Sequence, residues 1–277
     1  MMDLIRRVRR AATTPVDPAD PDAVDTTLLR DLAGPVDALC RAWFRLDVQG
    51  LNNIPSGPAL VVGNHNSGVS FVEALGTGAR VYLHHGTSTP WHGLAHDAII
   101  DMPGLGPLLT RLGALRAGHD TAAAAFARDR KVLVFPGGNR EAFRPWRQRN
   151  EVHFYGRTGF VRLALRHRVP IVPVAYHGGH SAFIVLRSGR RIARYSGLGK
   201  AIRTDAWPLF IGLPWGIGLG PLFHVPLPVR CTTRFLEPIP TAHLPPDAAN
   251  DPEVVAALRD EVQSRIQAAL DDMAKRA

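Results

Sequence analysis

The sequence predicts an α/β layered sandwich, a mixed central sheet flanked by helices, and three observations carry that prediction. Short apolar runs recur at 59–62 (ALVV), 131–135 (KVLVF) and 170–176 (PIVPVAY), each the length of a buried strand. Segments with helical apolar spacing alternate with them, the pattern of a layered α/β domain. Polar glycine loops then follow two of the strands, at Gly63-Asn64-His65 and at Pro136-Gly137-Gly138-Asn139-Arg140-Glu141. Open α/β sheets bind ligands at such strand ends.

Taken in order, residues 1–26 read as an N-terminal tail or linker. MMDLIRRVRR is basic, and no long apolar run follows it as a secretory signal would require. It is either a short amphipathic contact with anionic lipid or a disordered start. The stretch 11–26 is rich in Pro, Asp and Ala, a linker composition. Residues 27–277 read as a single domain. Leu28, Leu29, Leu32, Val36, Leu39 and Trp43 fall at helical spacing over 27–46, with Gly34-Pro35 as the expected kink. Strands are expected at 59–62, 80–84 (RVYLH), 131–135, 170–176 and 230–235. Helices are expected to open near Ser70 and to cover 105–112, 121–128, 159–166 and 253–275, the last with Val255, Leu258, Val262, Ile266 and Leu270 on one side.

Charge is lopsided. The net charge is +9, and no carboxylate occurs between Glu151 and Asp205, where Arg157, Arg162, Arg166, Arg168, Arg187, Arg190, Arg191, Arg194, Lys200 and Arg203 all fall. Such a field attracts phosphates, on lipid headgroups or on a nucleotide-bearing donor. Nucleic acid is disfavoured as a partner, because no stacking aromatics or recognition helix accompany the basic stretch. Cys40 and Cys231 are too few for a disulfide framework and point to a reducing, cytoplasmic setting. The segment 206–229 carries no formal charge and is long enough to span a bilayer, yet five prolines (208, 214, 221, 226, 228) forbid a continuous helix. It reads either as a broken, surface-embedded hydrophobic loop in contact with a membrane or as a buried core excursion.

His65, at a strand terminus in a glycine-flanked loop, is a candidate general base, because an imidazole titrates near neutrality. It needs a carboxylate on its far ring nitrogen. In the second loop, the amides of Gly137 and Gly138 with the Arg140 guanidinium form a candidate anion cradle. His92 and His96 stand four apart, as two metal ligands on a helix would, but no acidic partner completes a site, so no metal is expected. No Gly-x-Ser-x-Gly elbow is present, which disfavours a serine hydrolase.

The ordered set Gly63-Asn64-His65, Leu112-Gly-Ala-Leu-Arg116, Phe135-Pro-Gly-Gly-Asn-Arg-Glu141, Gly159-Phe-Val-Arg-Leu-Ala164 and Val169-Pro-Ile-Val-Pro-Val174 resembles the PlsC-like glycerolipid acyltransferase family. Within it, the chain looks most like the bacterial diacylglycerol-acyltransferase-like branch. The resemblance runs from about Leu46 to Pro240. It implies transfer of a fatty acyl group from an acyl thioester to a lipid hydroxyl, with acyl-CoA or acyl-carrier protein as donor and no resident cofactor. His65 becomes the base, and Asn64, Arg116, Gly137, Gly138, Asn139, Arg140 and Glu141 become the substrate-binding set. The expected location is the cytoplasmic face of a membrane, peripheral or monotopic.

Two departures matter. The Asp usual five residues after the histidine is Ser70 here, and Glu73 is expected to replace it as the second catalytic residue. The usual Phe-Pro-Glu-Gly-Thr-Arg loop reads Phe-Pro-Gly-Gly-Asn-Arg, which shifts the expected acceptor from glycerol phosphate toward a neutral or bulky lipid alcohol. Ser70 also keeps open a second reading, a non-catalytic lipid-binding protein on the same fold.

Overall fold

The computed structural model describes residues 2–66, 68, 72–195, 206–214, 216–220, 225–245 and 247–276. Ser70, Lys200, Arg203 and, within the uncharged segment, positions 215 and 221–224 lie outside the described residues.

From the N-terminus come α1 (Met2–Thr13), α2 (Thr26–Phe44), β1 (Asp47–Gln49), β2 (Ala59–Gly63), α3 (Val72–His85), β3 (His92–Ala95), α4 (Asp97–Ile100), α5 (Leu105–Arg111), β4 (Ala114–Arg116), α6 (His119–Phe126) and β5 (Lys131–Val134). There follow α7 (Gly138–Ala142), α8 (Gly159–His167), β6 (Ile171–His177), α9 (Gly179–Ala182), β7 (Ile184–Arg187), α10 (Arg190–Tyr195), β8 (Leu209–Gly212), β9 (Gly216–Leu219), β10 (Thr232–Phe235) and α11 (Pro252–Lys275).

Seven strands form one sheet in the order β1-β10-β6-β2-β5-β3-β4. The run from β6 to β4 is parallel, and β10 joins β6 antiparallel, so the sheet is mixed as expected. Alternation along each strand sends side chains to two separate cores. Leu60, Val62, Val132 and Val134 meet Val161 and Ala164 of α8 and Val262, Ile266 and Leu270 of α11. Val61, Leu133, Val172 and Val174 meet Val81 of α3, together with Tyr176 and Phe235. Burial on both faces is why the parallel strands read as continuous apolar runs rather than as alternating ones. Asp25 caps α2 by accepting the Leu28 N–H at 2.9 Å, and Asp251 caps α11 with Pro252 in the first turn.

The structure fills in or departs from the expected elements at several places. Residues 80–84 are not a strand but the last turns of α3. A strand would place Val81 and Leu83 on one face; instead Val81 and Tyr82 are buried and Leu83 is 49% exposed. Packing against Leu29 and Ala33 of α2 overrides the local β preference of this stretch. The tail is not free. The Arg111 guanidinium donates to the carbonyls of Ala11, Thr14 and Pro15, the Arg116 N–H donates to the Pro18 carbonyl, and Asp22 pairs with Arg128 and Arg130. Cations of the domain thus satisfy an extended backbone that composition alone reads as a linker. At Gly34-Pro35, the expected kink, α2 continues without a break from Thr26 to Phe44. Finally, the described part of 206–229 is a β-hairpin, β8 and β9, which joins β7 in a separate three-stranded antiparallel sheet. Phe210 is fully buried, while Ile211, Ile217 and Leu219 are exposed.

Candidate active site

The β2 strand delivers His65 into a pocket wall where every flanking group is spoken for. Asn64 is fully buried, and its side-chain amide donates to the Tyr176 carbonyl at 2.9 Å and accepts the Tyr176 N–H at 2.8 Å. It thereby continues the β2–β6 ladder by one rung beyond Gly63. His65 then turns away from the sheet. Its Nδ1 lies 2.6 Å from Glu73 Oε1, which also accepts the Asn66 N–H at 3.1 Å. The ring stacks on Phe135 at 4.7 Å between centroids. No described residue hydrogen-bonds Nε2. Burial pulls the Glu73 carboxyl upward, but the hydrogen bond and charge of His65 outweigh it and hold the group below its ordinary value. An ionised Glu73 fixes the proton on Nδ1 and leaves Nε2 as the basic nitrogen.

The backbone of His65 is held separately. Its N–H donates to Glu141 Oε2 at 2.9 Å, and its carbonyl accepts from Arg144 Nη1 at 3.2 Å. Glu141 and Arg144 are wholly buried and 3.4 Å apart, and Glu141 Oε1 accepts the His153 N–H at 3.1 Å. Burial pushes the Glu141 carboxyl up and the Arg144 guanidinium down, each shift opposed by the partner's charge. The glycines of the second loop follow from this. A Cβ on Gly137 would sit 2.2 Å from Glu141 Oε2, and Gly138, at φ +53°, would drive one to 2.5 Å from the Arg157 guanidinium. The Gly138 N–H is used by the Phe135 carbonyl.

The Pro136–Glu141 loop is therefore a lodging for a buried carboxylate and not an open anion cradle. Glu141, Gly137, Gly138 and Asn64, expected against substrate, stand behind the site and do not line the cavity. Arg116 does not line it either. Its guanidinium forks between Asp97 and Asp101, 2.6 Å from each, away from the cavity. Arg140 is partly exposed and stacks 4.0 Å over the Tyr155 ring, with its Nε unpartnered. Only Asn139 of the second loop joins His65 and Glu73 in lining the cavity.

That cavity has a volume of about 880 Å³ and is walled mainly by apolar side chains of α2, α3, β3, α4 and α5, among them Leu32, Val36, Ile99, Met102 and Leu109. His65 and Phe135 lie on its wall. Sequence reasoning did not find this cavity, because its walls come from five elements whose apolar residues look like ordinary core. Nor did it assign Arg144 or Phe135 a role. A lone arginine between apolar residues was the available signal for the first.

His92 and His96 are not a helical pair. His92, on β3, is buried with Nδ1 against the Gly113 carbonyl, and burial lowers its pKa to about 4; His96 caps α4. Among the described residues no cluster of His, Cys, Asp and Glu is placed to hold a metal. His177 and His180 lie off the large cavity. His180 is fully buried, and burial holds it well below the usual imidazole range.

Residues 45–177 match the family model described as Acyltransferase. An uncharacterized protein of Mycobacterium tuberculosis (strain ATCC 25618 / H37Rv) is 34% identical over 83% of this chain and 62% of its own length. The DGAT1/2-independent enzyme synthesizing storage lipids of Homo sapiens is 25% identical over 85% of this chain and 64% of its own. The chain thus spans about three fifths of the length of these curated relatives. Among solved structures, the 1-acyl-sn-glycerophosphate (LPA) acyltransferase PlsC of Thermotoga maritima superposes with a TM-score of 0.56 at 16% identity, covering 89% of this chain and 79% of that one.

Proposed function

We propose that this chain is a member of the glycerolipid acyltransferase family and moves a fatty acyl group from an acyl thioester to a hydroxyl of a glycerolipid at a membrane surface. The observation that carries the proposal is the His65–Glu73 pair, joined at 2.6 Å on the wall of a large apolar cavity. His65 Nε2 takes the proton of the acceptor hydroxyl, and the oxygen attacks the thioester carbonyl. The new C–O bond forms, the C–S bond breaks, and the thiolate leaves. Removal of that proton is worth roughly 10²–10⁴-fold, because a hydroxyl is a poor nucleophile until deprotonated. Glu73 orients the ring and stabilises the imidazolium that develops. The cavity takes the acyl chain, which its apolar walls suit. Asn139 reaches the cavity, and the partly exposed Arg140 beside it is, in this reading, the cation of the second loop that meets a phosphate of the donor or acceptor.

Acyl-CoA or acyl-carrier protein is the donor in this reading, and no resident cofactor takes part. The setting is the cytoplasmic face of a membrane. Peripheral or monotopic attachment accords with both cysteines being free and with no described helix being long and apolar enough to cross a bilayer.

The test is thiol release and lipid product formation from long-chain acyl-CoA. Wild type, His65→Ala and Glu73→Ala would be compared on liposomes carrying lysophosphatidate, monoacylglycerol or diacylglycerol, and the panel repeated with acyl-carrier protein. Product with one acceptor, lost in both variants, is the expected result. Wild type inert with every donor and acceptor, yet bound tightly to liposomes, would replace the transferase with a non-catalytic lipid-binding protein.

A further inference from the structure

We infer that the outer face of the β7–β8–β9 sheet is the surface by which this chain docks on a bilayer containing anionic lipid. The inference rests on the lipid-transferase reading above and names the side of the molecule that meets the membrane.

One face of this small sheet is core. Val185 and Phe210 pack there against Ala142, Phe143, Phe183 and Ala206. The opposite face of an antiparallel sheet standing in water is ordinarily polar. Here its rows are aliphatic: Leu209 pairs with Leu219, Ile211 with Ile217, and Ile184 with Ile211. Ile217 is 71% exposed, and Leu186, Leu213 and Leu219 are each more than two fifths exposed. An exposed aliphatic face of this kind, with Arg187 opposite Leu209 at its edge, marks a contact with a partner or a membrane.

Charge selects the occupant. Arg187 ends β7, and Arg190 and Arg191 follow on α10, all three exposed, in a stretch without a carboxylate from 152 to 204. Aliphatic rows flanked by these cations fit an anionic bilayer, where the apolar face enters the acyl boundary and guanidinium groups meet phosphates. A second copy fits poorly, because a two-fold contact would set the same arginines against one another.

The position is also suited to lipid transfer. Ala142 and Phe143, under the sheet, line the large cavity. Leaving the hairpin, Val225 bonds back to Leu213 and the chain passes to Pro226, another cavity-lining residue, whose carbonyl accepts the Trp43 indole N–H at 2.8 Å. A docked sheet therefore holds the cavity within one layer of the bilayer.

The experiment is flotation of purified protein with vesicles of phosphatidylcholine alone or mixed with phosphatidylglycerol. Wild type, Ile211→Glu/Ile217→Glu and Arg190→Ala/Arg191→Ala are compared, each checked by thermal melting. Wild type is expected to float with the mixed vesicles. The double glutamate should partition roughly tenfold or more weakly, the scale of withdrawing one buried aliphatic side chain, and the double alanine should lose the preference for the anionic vesicles. As a measurement that leaves the fold undisturbed, Ile217→Cys carrying an environment-sensitive fluorophore should shift to the blue on mixed vesicles. Equal flotation of wild type and double glutamate, no blue shift, or a vesicle-independent dimer dissolved by the glutamates would overturn the inference. Transfer measured in parallel on short-chain donor and acceptor in free solution separates the two readings. Flotation without transfer sinks the enzyme and keeps the docking face, and transfer without flotation does the reverse.

Discussion

Glu73→Gln isolates the charge of the pair from its shape. The amide oxygen still accepts from His65 Nδ1 and from the Asn66 N–H, the two donors that Glu73 Oε1 serves at 2.6 and 3.1 Å. What disappears is the negative charge facing the imidazolium that forms as the acceptor proton is removed. With charge centres about 4 Å apart and an effective dielectric of about 20, that attraction is about 4 kcal/mol. Since 1.36 kcal/mol is tenfold in rate, kcat should fall about a thousandfold. KM for the acyl donor should move little, because the apolar walls of the cavity are untouched. Steady-state kinetics on liposomes would read both, with circular dichroism to confirm the fold. A kcat within tenfold of wild type, in a protein where His65→Ala is dead, would refute the assignment of Glu73 as orienting acid.

Glu141→Gln should destabilise the domain by about 3–5 kcal/mol in urea unfolding, because Arg144 is left buried without its counter-charge; adding Arg144→Met should recover part of that loss. His92 is held neutral with a pKa of about 4 against an ordinary 6.5. The unfolded chain therefore binds the extra proton between those values, and stability is full above pH 6.5 and declines as pH falls toward 4, by about 3 kcal/mol in total. His92→Asn should flatten that slope in a series of urea midpoints. At Gly78, which lines the cavity and has open space where a Cβ would stand, Gly78→Leu should shift donor preference toward shorter acyl chains in competition assays. Arg116→Ala should change transfer less than threefold and stability by less than about 1 kcal/mol, since its guanidinium serves two partly exposed carboxylates.

Local pattern sufficed where burial shows in the segment itself, as one apolar stripe on a helix or a continuous apolar run in a strand buried on both faces. The helices 159–167 and 252–275 and the strands that begin at 59, 131 and 171 stand close to where their spacing puts them. It failed at 80–84, where Tyr82 is buried against α2 and Val81 against the central sheet, elements formed by other parts of the chain. The short strands β3 and β4 carry too few residues for any period to show. The sequence also paired His65 with Glu73, as the carboxylate standing in for the family's usual Asp at the Ser70 position, and the structure sets it in the first turn of α3. It assigned substrate to Asn64, Glu141 and Arg116, which the fold employs internally. A polar side chain beside a catalytic-looking motif reads the same whether it points at a ligand or at the backbone behind it.

By itself, then, the sequence determined the layered α/β class, the order of the strand-end loops and the pairing of His65 with Glu73. These follow from properties of short segments: apolar runs, glycine turns and residue type. The tertiary structure alone decided the large apolar cavity, the Glu141–Arg144 clamp on the His65 backbone and the aliphatic outer face of the small sheet. Each depends on which of several equivalent apolar or charged residues faces water, partner backbone or empty space. That choice is made by contacts between elements far apart in the chain, and no local period records it.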